Sequence, residues 1–145
     1  MVLHVFMALM ALFLFAFPAY AEKRVAFVLG NGAYTTQSTL ESSRLDATLA
    51  GSFLQQRGFM LVGGRPLVDL TKSQTDNALE AFGNAIQGAD VAIFYYSGHG
   101  LQVGGTNYLV PADAPLVSPN NLGLRFINMN LVMSMLDRSG ARLKI

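Results

Sequence analysis

Short apolar runs alternate with amphipathic segments along this chain. The first run, residues 24–29, is apolar after its arginine and ends in Gly-Asn-Gly. Continuous runs of this length are typical of strands buried on both faces, as in a parallel sheet. Similar runs recur at residues 59–62 and 91–96, and a fourth begins at residues 141–145. The pattern therefore predicts four core strands, with the chain ending inside the fourth.

Between these runs, apolar residues recur at helical spacing. Leu45, Leu49, Phe53 and Leu54 predict a helix over residues 45–57, ended by a glycine at position 58. A second helix is predicted to open with Thr71 as its N-terminal cap, and a third over residues 129–136. The apolar stripe of the second helix consists of Ala78, Leu79, Phe82 and Ile86.

The alternation of strands and helices sets the fold class. It predicts an α/β domain, in which a mainly parallel sheet carries helices on both faces. The third strand is followed by two short apolar segments that flank Gly104 and Gly105, which predicts a β-hairpin. Residues 111–119 are rich in proline and polar residues and are predicted to form a loop.

The first 21 residues have the layout of a secretory signal peptide. Residues 5–17 are all apolar, and Ala19-Tyr20-Ala21 follows as a small-x-small cleavage pattern before three charged residues. The run is shorter than the roughly 20 residues that span a bilayer. An uncleaved anchor is the alternative, because His4 replaces the usual lysine or arginine. We expect a domain over residues 22–145 that is secreted or periplasmic, with no stable membrane span after cleavage.

Composition excludes several function classes. The net charge of +1 gives no indication of a nucleic-acid partner. The absence of cysteine excludes disulfides and a cysteine nucleophile within these 145 residues, and with only two histidines it argues against a zinc site. A nucleotide site at residues 30–32 is disfavoured because Gly-x-Gly-x-x-Gly fails at Thr35. We therefore expect no metal and no cofactor.

The candidate chemistry lies at Ser97-Gly98-His99-Gly100, directly after the third strand. Ligands of open α/β sheets bind at the carboxyl ends of strands, where an imidazole can act as general acid or base. Gly98 and Gly100 would let a substrate approach, and the Gly100 N–H could face an oxyanion. The alternative is a histidine that only closes a tight turn. Ser97 fails the Gly-x-Ser-x-Gly pattern and is expected to cap the turn.

The same stretch carries a family resemblance. Residues 91–103 (VAIFYYSGHGLQV) and 107–113 (NYLVPAD) resemble the caspase-type cysteine peptidases, above all their bacterial caspase-like and metacaspase-like branch. Residues 24–34 and 45–59 resemble that family's first strand and first helix. The resemblance extends over residues 23–145 and implies a three-layer α/β/α fold, cut short in the fourth core strand. It also implies peptide or protein substrates.

The resemblance implies roles for individual residues. His99 would activate a cysteine thiol and protonate the leaving amine, and Gly100 would donate an oxyanion-hole N–H. The family's cysteine follows the next core strand, about five to ten residues beyond Ile145 by typical strand length. These 145 residues alone are therefore predicted to be inactive. Two readings stay open: the first part of a cysteine endopeptidase, or a catalytically inactive caspase-fold binding module.

Substrate preference is suggested by one carboxylate. Asp46 matches a family aspartate that would select arginine or lysine side chains, as the metacaspase branch does. Its alternative role is that of an anion stabilised at a helix N-terminus. Arg44 stands two residues away and could pair with Asp46, so the sequence only favours a preference for basic substrate side chains. Asp113 is expected to be a turn residue.

Overall fold

The structure, a computed structural model, describes residues 21–118 and 120–145. The predicted signal peptide lies outside the described residues except for Ala21. The strands of the described part are β1 (Arg24–Gly30), β2 (Met60–Leu61), β3 (Leu67–Val68), β4 (Val91–Ser97), β5 (Gly100–Val103), β6 (Thr106–Leu109), β7 (Ile127–Asn128) and β8 (Leu143–Lys144). The helices are α1 (Glu41–Gln56), α2 (Lys72–Ala85), α3 (Leu122–Arg125) and α4 (Met129–Arg138).

The main sheet is parallel and has β1 and β4 at its centre. Its order is β2-β1-β4-β8, and β3 also pairs with β1, beyond β2 along the same edge. A second, antiparallel sheet of order β5-β6-β7 follows the carboxyl end of β4. The predicted α/β class and the mainly parallel sheet are confirmed. The short segments β3, α3 and β7 were not predicted, because two to four residues show no measurable periodicity.

One face of the sheet carries the larger core. Val25, Phe27 and Leu29 of β1 are almost fully buried and belong to one apolar cluster with side chains of α2 and α4. The Phe27 ring stacks on Phe94 at 4.9 Å between centroids. Strand side chains alternate between faces, so every second residue of β1 packs in this layer.

The opposite face is covered by α1, and the packing there is unexpected. The helix was predicted correctly, although it begins at Glu41, four residues before the apolar spacing starts. Its buried face consists of the small residues Ser43, Ala47 and Gly51. The stripe formed by Leu45, Leu49 and Phe53 is instead 59%, 61% and 52% exposed.

Close approach of backbones explains this orientation of α1. A Cβ atom on Gly30 would lie 2.2 Å from the Ser43 carbonyl oxygen and 2.7 Å from the Ala47 Cβ. Only small residues fit between the helix and β1 at that separation. The contact geometry, rather than side-chain hydrophobicity, therefore decides which side of α1 faces the sheet.

The predicted cap of α2, the hairpin turn and the turn at Asp113 are confirmed. Thr71 caps α2 and forms a capping box with Gln74, and Gly104 and Gly105 adopt positive φ between the strands of the hairpin. Asp113 lies in a turn, where its Oδ1 accepts a 2.7 Å hydrogen bond from the Lys72 N–H at the start of α2. Over residues 21–118 and 120–145, none of the helices has the length and apolar character that a bilayer crossing requires.

Candidate active site

The site lies at the carboxyl end of β4, where the Gly98-His99 turn leads into β5. The loop of residues 31–40, which joins β1 to α1, approaches this turn from the neighbouring strand. Parallel pairing of β1 with β4 places Gly30 opposite Ser97, so both strands end at the same edge. The predicted placement of His99 at the edge of the sheet follows directly from this register.

The imidazole of His99 has a defined tautomer. Its Nε2 atom lies 2.8 Å from the backbone carbonyl oxygen of Ser38. A carbonyl oxygen only accepts hydrogen bonds, so Nε2 must hold the proton in the neutral ring. Nδ1 then carries the lone pair and is the nitrogen available as a base.

Asp46 and Ser97 meet beside this turn. The Ser97 hydroxyl donates to Asp46 Oδ2 at 3.2 Å, which replaces the expected capping of its own turn. The helix dipole stabilises anions in the first turn of a helix. Because α1 begins at Glu41, Asp46 lies in the second turn and outside the reach of that effect. Its carboxylate is exposed to solvent at the edge of the site.

Arg44 pairs with a different carboxylate. Its Nε lies 3.0 Å from Asp69 Oδ2, and Asp69 Oδ1 accepts hydrogen bonds from the Gly32 and Ala33 N–H groups at 2.8 Å each. The expected pairing of Arg44 with Asp46 is therefore not formed. Asp69 instead holds the loop that follows β1.

The Gly100 N–H points away from the hairpin. Gly100 lies opposite Leu109, and the adjacent ladder bond runs from the Val110 N–H to the His99 carbonyl at 3.0 Å. This pattern makes Gly100 and Leu109 a non-hydrogen-bonded pair, so the Gly100 N–H does not donate to β6. Gly100 is also exposed, which leaves its N–H open to a ligand.

Two tyrosines form the floor of the site, and the sequence did not single them out. Tyr34 and Tyr96, named here the phenol pair, have their hydroxyl oxygens 3.3 Å apart. A Cβ on Gly98 would lie 2.5 Å and 2.4 Å from these oxygens. The expectation that Gly98 makes room for substrate is thus wrong, because the phenol pair fills that space. The signal available in the sequence was a tyrosine beside each glycine-rich turn, Tyr34 after the first and Tyr96 before the second.

Burial raises the pKa of both phenols above its ordinary value of 10.0. Desolvation is the main cause that raises the pKa of the Tyr34 phenol, against an opposing effect of its hydrogen bonds. Desolvation also raises the pKa of Tyr96, and the neighbouring Tyr34 raises it further. Both hydroxyls therefore remain neutral hydrogen-bonding groups in the physiological pH range.

The parallel sheet with helices on both faces, and a histidine turn at the end of its central strand, define a three-layer α/β/α domain with a histidine-centred site. Residues 23–139 match the family model described as the caspase domain. This match covers well over half of the chain, and the chain therefore belongs to the caspase-domain family.

Individual relatives agree with that assignment. The mouse mucosa-associated lymphoid tissue lymphoma translocation protein 1 homolog and its human counterpart are each 32% identical over 95 residues. The alignment covers 66% of this chain but only 11% of those proteins. The crystal structure of the Drosophila initiator caspase Dronc superposes with a TM-score of 0.57 at 15% identity, covering 77% of this chain and 40% of Dronc. The Dronc likeness shows the caspase fold.

Proposed function

We propose that this domain supplies the histidine and the oxyanion donor of a caspase-like cysteine-type endopeptidase. One observation carries the proposal: the hydrogen bond from His99 Nε2 to the Ser38 carbonyl leaves Nδ1 as the basic nitrogen at the open edge of the sheet. A general base must present its lone pair to the proton that it removes. The caspase-domain assignment supplies the reaction class.

The chemistry requires a thiol from outside residues 1–145, because these residues contain no cysteine. In the proposed reaction, His99 Nδ1 takes the thiol proton and the thiolate attacks the peptide carbonyl carbon. The exposed Gly100 N–H stabilises the negative oxygen of the tetrahedral intermediate. His99 then gives its proton to the leaving amine, and water hydrolyses the thioester to release the acid and the thiol.

Asp46 supports a preference for basic side chains. Its carboxylate is exposed beside the histidine turn and accepts the Ser97 hydroxyl, while Arg44 is engaged by Asp69. An exposed carboxylate next to the reacting centre attracts arginine or lysine and repels aspartate. We therefore propose cleavage after basic residues, in a protein exported by the predicted signal peptide.

The second candidate is a catalytically inactive caspase-fold binding module. It is favoured by the absence of any cysteine in these 145 residues. Such a module would hold a peptide at the same edge without cleaving it. The in-frame coding sequence beyond Ile145 separates the two candidates, because only the peptidase needs a downstream cysteine.

The test uses the full-length gene product and peptide amides ending in arginine or aspartate. The wild type is expected to hydrolyse the arginine reporter. His99→Ala should lower kcat/KM by about 10³-fold or more, because the base is removed. Asp46→Asn should lower hydrolysis of the arginine reporter about 10- to 100-fold. Glu80→Gln, at an exposed position of α2, is the charge-matched control and should change neither rate.

Either of two results would contradict the proposed peptidase. A reading frame without a downstream cysteine, together with peptide binding but no turnover, would replace the peptidase by the binding module. Hydrolysis by residues 1–145 alone that is lost in His99→Ala would contradict the need for an external thiol.

A further inference from the structure

We propose that the phenol pair is a positioning device for His99, in which Tyr34 and Tyr96 together hold its backbone and fix the direction of its ring. The catalytic meaning of this inference rests on the function proposed above. The geometry and its spectroscopic test do not depend on that function.

Tyr34 contacts His99 in two ways. Its hydroxyl oxygen accepts the His99 backbone N–H at 2.7 Å. Its ring packs on the imidazole with 4.6 Å between centroids and an interplanar angle of 46°. Tyr34 is 7% exposed and belongs to a buried cluster, so it offers a fixed surface. The ring is thus held on one face by Tyr34 and at Nε2 by Ser38, both from the loop after β1.

The hydrogen bonds of the phenol pair run in one direction, from Tyr34 as donor to Tyr96 as acceptor. Tyr34 accepts from the His99 N–H, so its own proton is available for the Tyr96 oxygen. Tyr96 then donates to the carbonyl oxygen of His99 or of Val110, each 3.0 Å away. The chain of bonds begins at the N–H of His99 and ends at the carbonyl oxygens of His99 and Val110, between which the single Tyr96 proton is shared. The phenol pair therefore holds the backbone of the histidine turn together with the end of the hairpin.

Asn31 anchors the phenol pair to the rest of the fold. It is 1% exposed, its Nδ2 donates to the Val110 carbonyl at 3.1 Å, and its Oδ1 accepts the Leu70 N–H at 3.0 Å. Its own N–H donates to the Ser97 carbonyl at 2.9 Å. A buried amide whose oxygen and nitrogen are both engaged has a high cost of rearrangement. The surroundings of the phenol pair are thereby fixed from β1, β4 and the hairpin.

A base must be held close to its productive direction, because displacement of about 1 Å can cost on the order of 100-fold in rate. Turns are the parts of a fold that move most readily. Here a histidine on a turn between two glycines is held by Tyr34, 65 residues earlier in the chain, and by Tyr96, three residues before it. Tyr34 and Tyr96 are therefore positioning residues that act through His99.

The first test reads the histidine directly by NMR. In a chain carrying His4→Gln, His99 is the only histidine, so the ring ¹⁵N shifts report its tautomer alone. Tyr34→Phe keeps the ring and removes the hydroxyl. We expect it to shift the tautomer ratio away from the Nε2-protonated form by about two- to tenfold, the equivalent of one lost hydrogen bond. Tyr96→Phe should shift it in the same direction.

Tyr95→Phe is the matched control, because Tyr95 directly precedes Tyr96 in β4 and packs on the α1 side of the sheet. It should leave the His99 shifts unchanged. Unchanged shifts in both Tyr34→Phe and Tyr96→Phe, with the fold retained by circular dichroism, would overturn the proposal. Amide exchange in the unsubstituted chain is a second measure: the His99 N–H should be protected, and exchange as fast as that of Gly100 would also overturn it.

Measurements of kcat and KM distinguish a failure of this inference from a failure of the proposed function. In the full-length protein, Tyr34→Phe should lower kcat about 10- to 100-fold while KM stays within about twofold, because substrate contacts are unchanged. Equal kcat in Tyr34→Phe and the wild type would overturn the positioning role. No hydrolysis by the wild type would overturn the proposed function alone, since the NMR result stands without it.

Discussion

At the scale of single residues, the site is defined by atoms that come very close. Gly98 has both phenolic oxygens within 2.5 Å of where its Cβ would be, whereas the nearest atom to a Cβ on Gly100 is the Tyr108 carbonyl at 3.5 Å. The two glycines of one turn thus have different reasons to be glycine. Gly98 is required by packing, and Gly100 leaves open space.

This difference predicts different costs for the same substitution. Gly98→Ala should lower the free energy of unfolding by about 1–3 kcal/mol, because the added methyl displaces the phenol pair. Gly100→Ala should change it by no more than about 0.5 kcal/mol. Urea titration of both variants measures the two values. Equal costs would show that the phenol pair does not occupy the space beside Gly98.

The sequence predicts the histidine of the candidate site but not the residues that hold it. His99 could be predicted because its turn follows a recognisable strand. Ser38, Tyr34 and Asn31 contact the histidine turn or the hairpin from 61 to 79 residues away in the chain. Such partners are brought together by the register of β1 on β4, which no local pattern reveals.

At the scale of elements, α1 shows how a correct helix can have an unpredicted face. Apolar spacing located it, yet the buried side is Ser43, Ala47 and Gly51. The helix α2 behaves as its pattern indicates, with Leu79, Phe82 and Ile86 buried. The difference is the spacing of layers: α2 packs through side chains, while α1 approaches the backbone of β1.

Two helical glycines test this contrast. A Cβ on Gly51 would lie 2.3 Å from Pro66 Cγ, whereas a Cβ on Gly83 in α2 would meet only Met135 Sδ at 3.9 Å. Gly83→Ala should stabilise the domain by about 1 kcal/mol through helix propensity. Gly51→Ala should destabilise it by about 1 kcal/mol, since overpacking outweighs the same gain.

The cause can be isolated by a double substitution. A Pro66→Ala background removes the contact with Cγ and leaves the Cβ at 3.2 Å, so Gly51→Ala should no longer be destabilising. Thermal unfolding of the four chains completes the cycle. Destabilisation by Gly51→Ala that persists without the proline ring would contradict the proposed clash.

At the scale of the whole molecule, the raised phenol pKa values link global stability to alkaline pH. The unfolded chain releases phenol protons from about pH 10, while the native state retains them on Tyr34 and Tyr96. A raised native pKa therefore stabilises the fold fully below pH 10 and progressively less above it. Each retained proton contributes a slope approaching about 1.4 kcal/mol per pH unit.

Unfolding free energies measured between pH 9 and 11 check this linkage. The wild type and Tyr95→Phe should lose stability steeply above pH 10. Tyr96→Phe should be less stable at pH 9 but show a shallower decline. Parallel curves of unfolding free energy against pH for Tyr96→Phe and the wild type would mean that the Tyr96 phenol titrates alike in the native and unfolded states.

The hydroxyl of Tyr96 also couples two segments in their motions. It lies at 3.0 Å from the carbonyl oxygens of both His99 and Val110, and Val110 in turn donates its N–H to His99. The end of the β5–β6 hairpin and the histidine turn thus share one hydrogen-bonding centre. Any displacement of the hairpin is therefore expected to shift the backbone of the histidine as well.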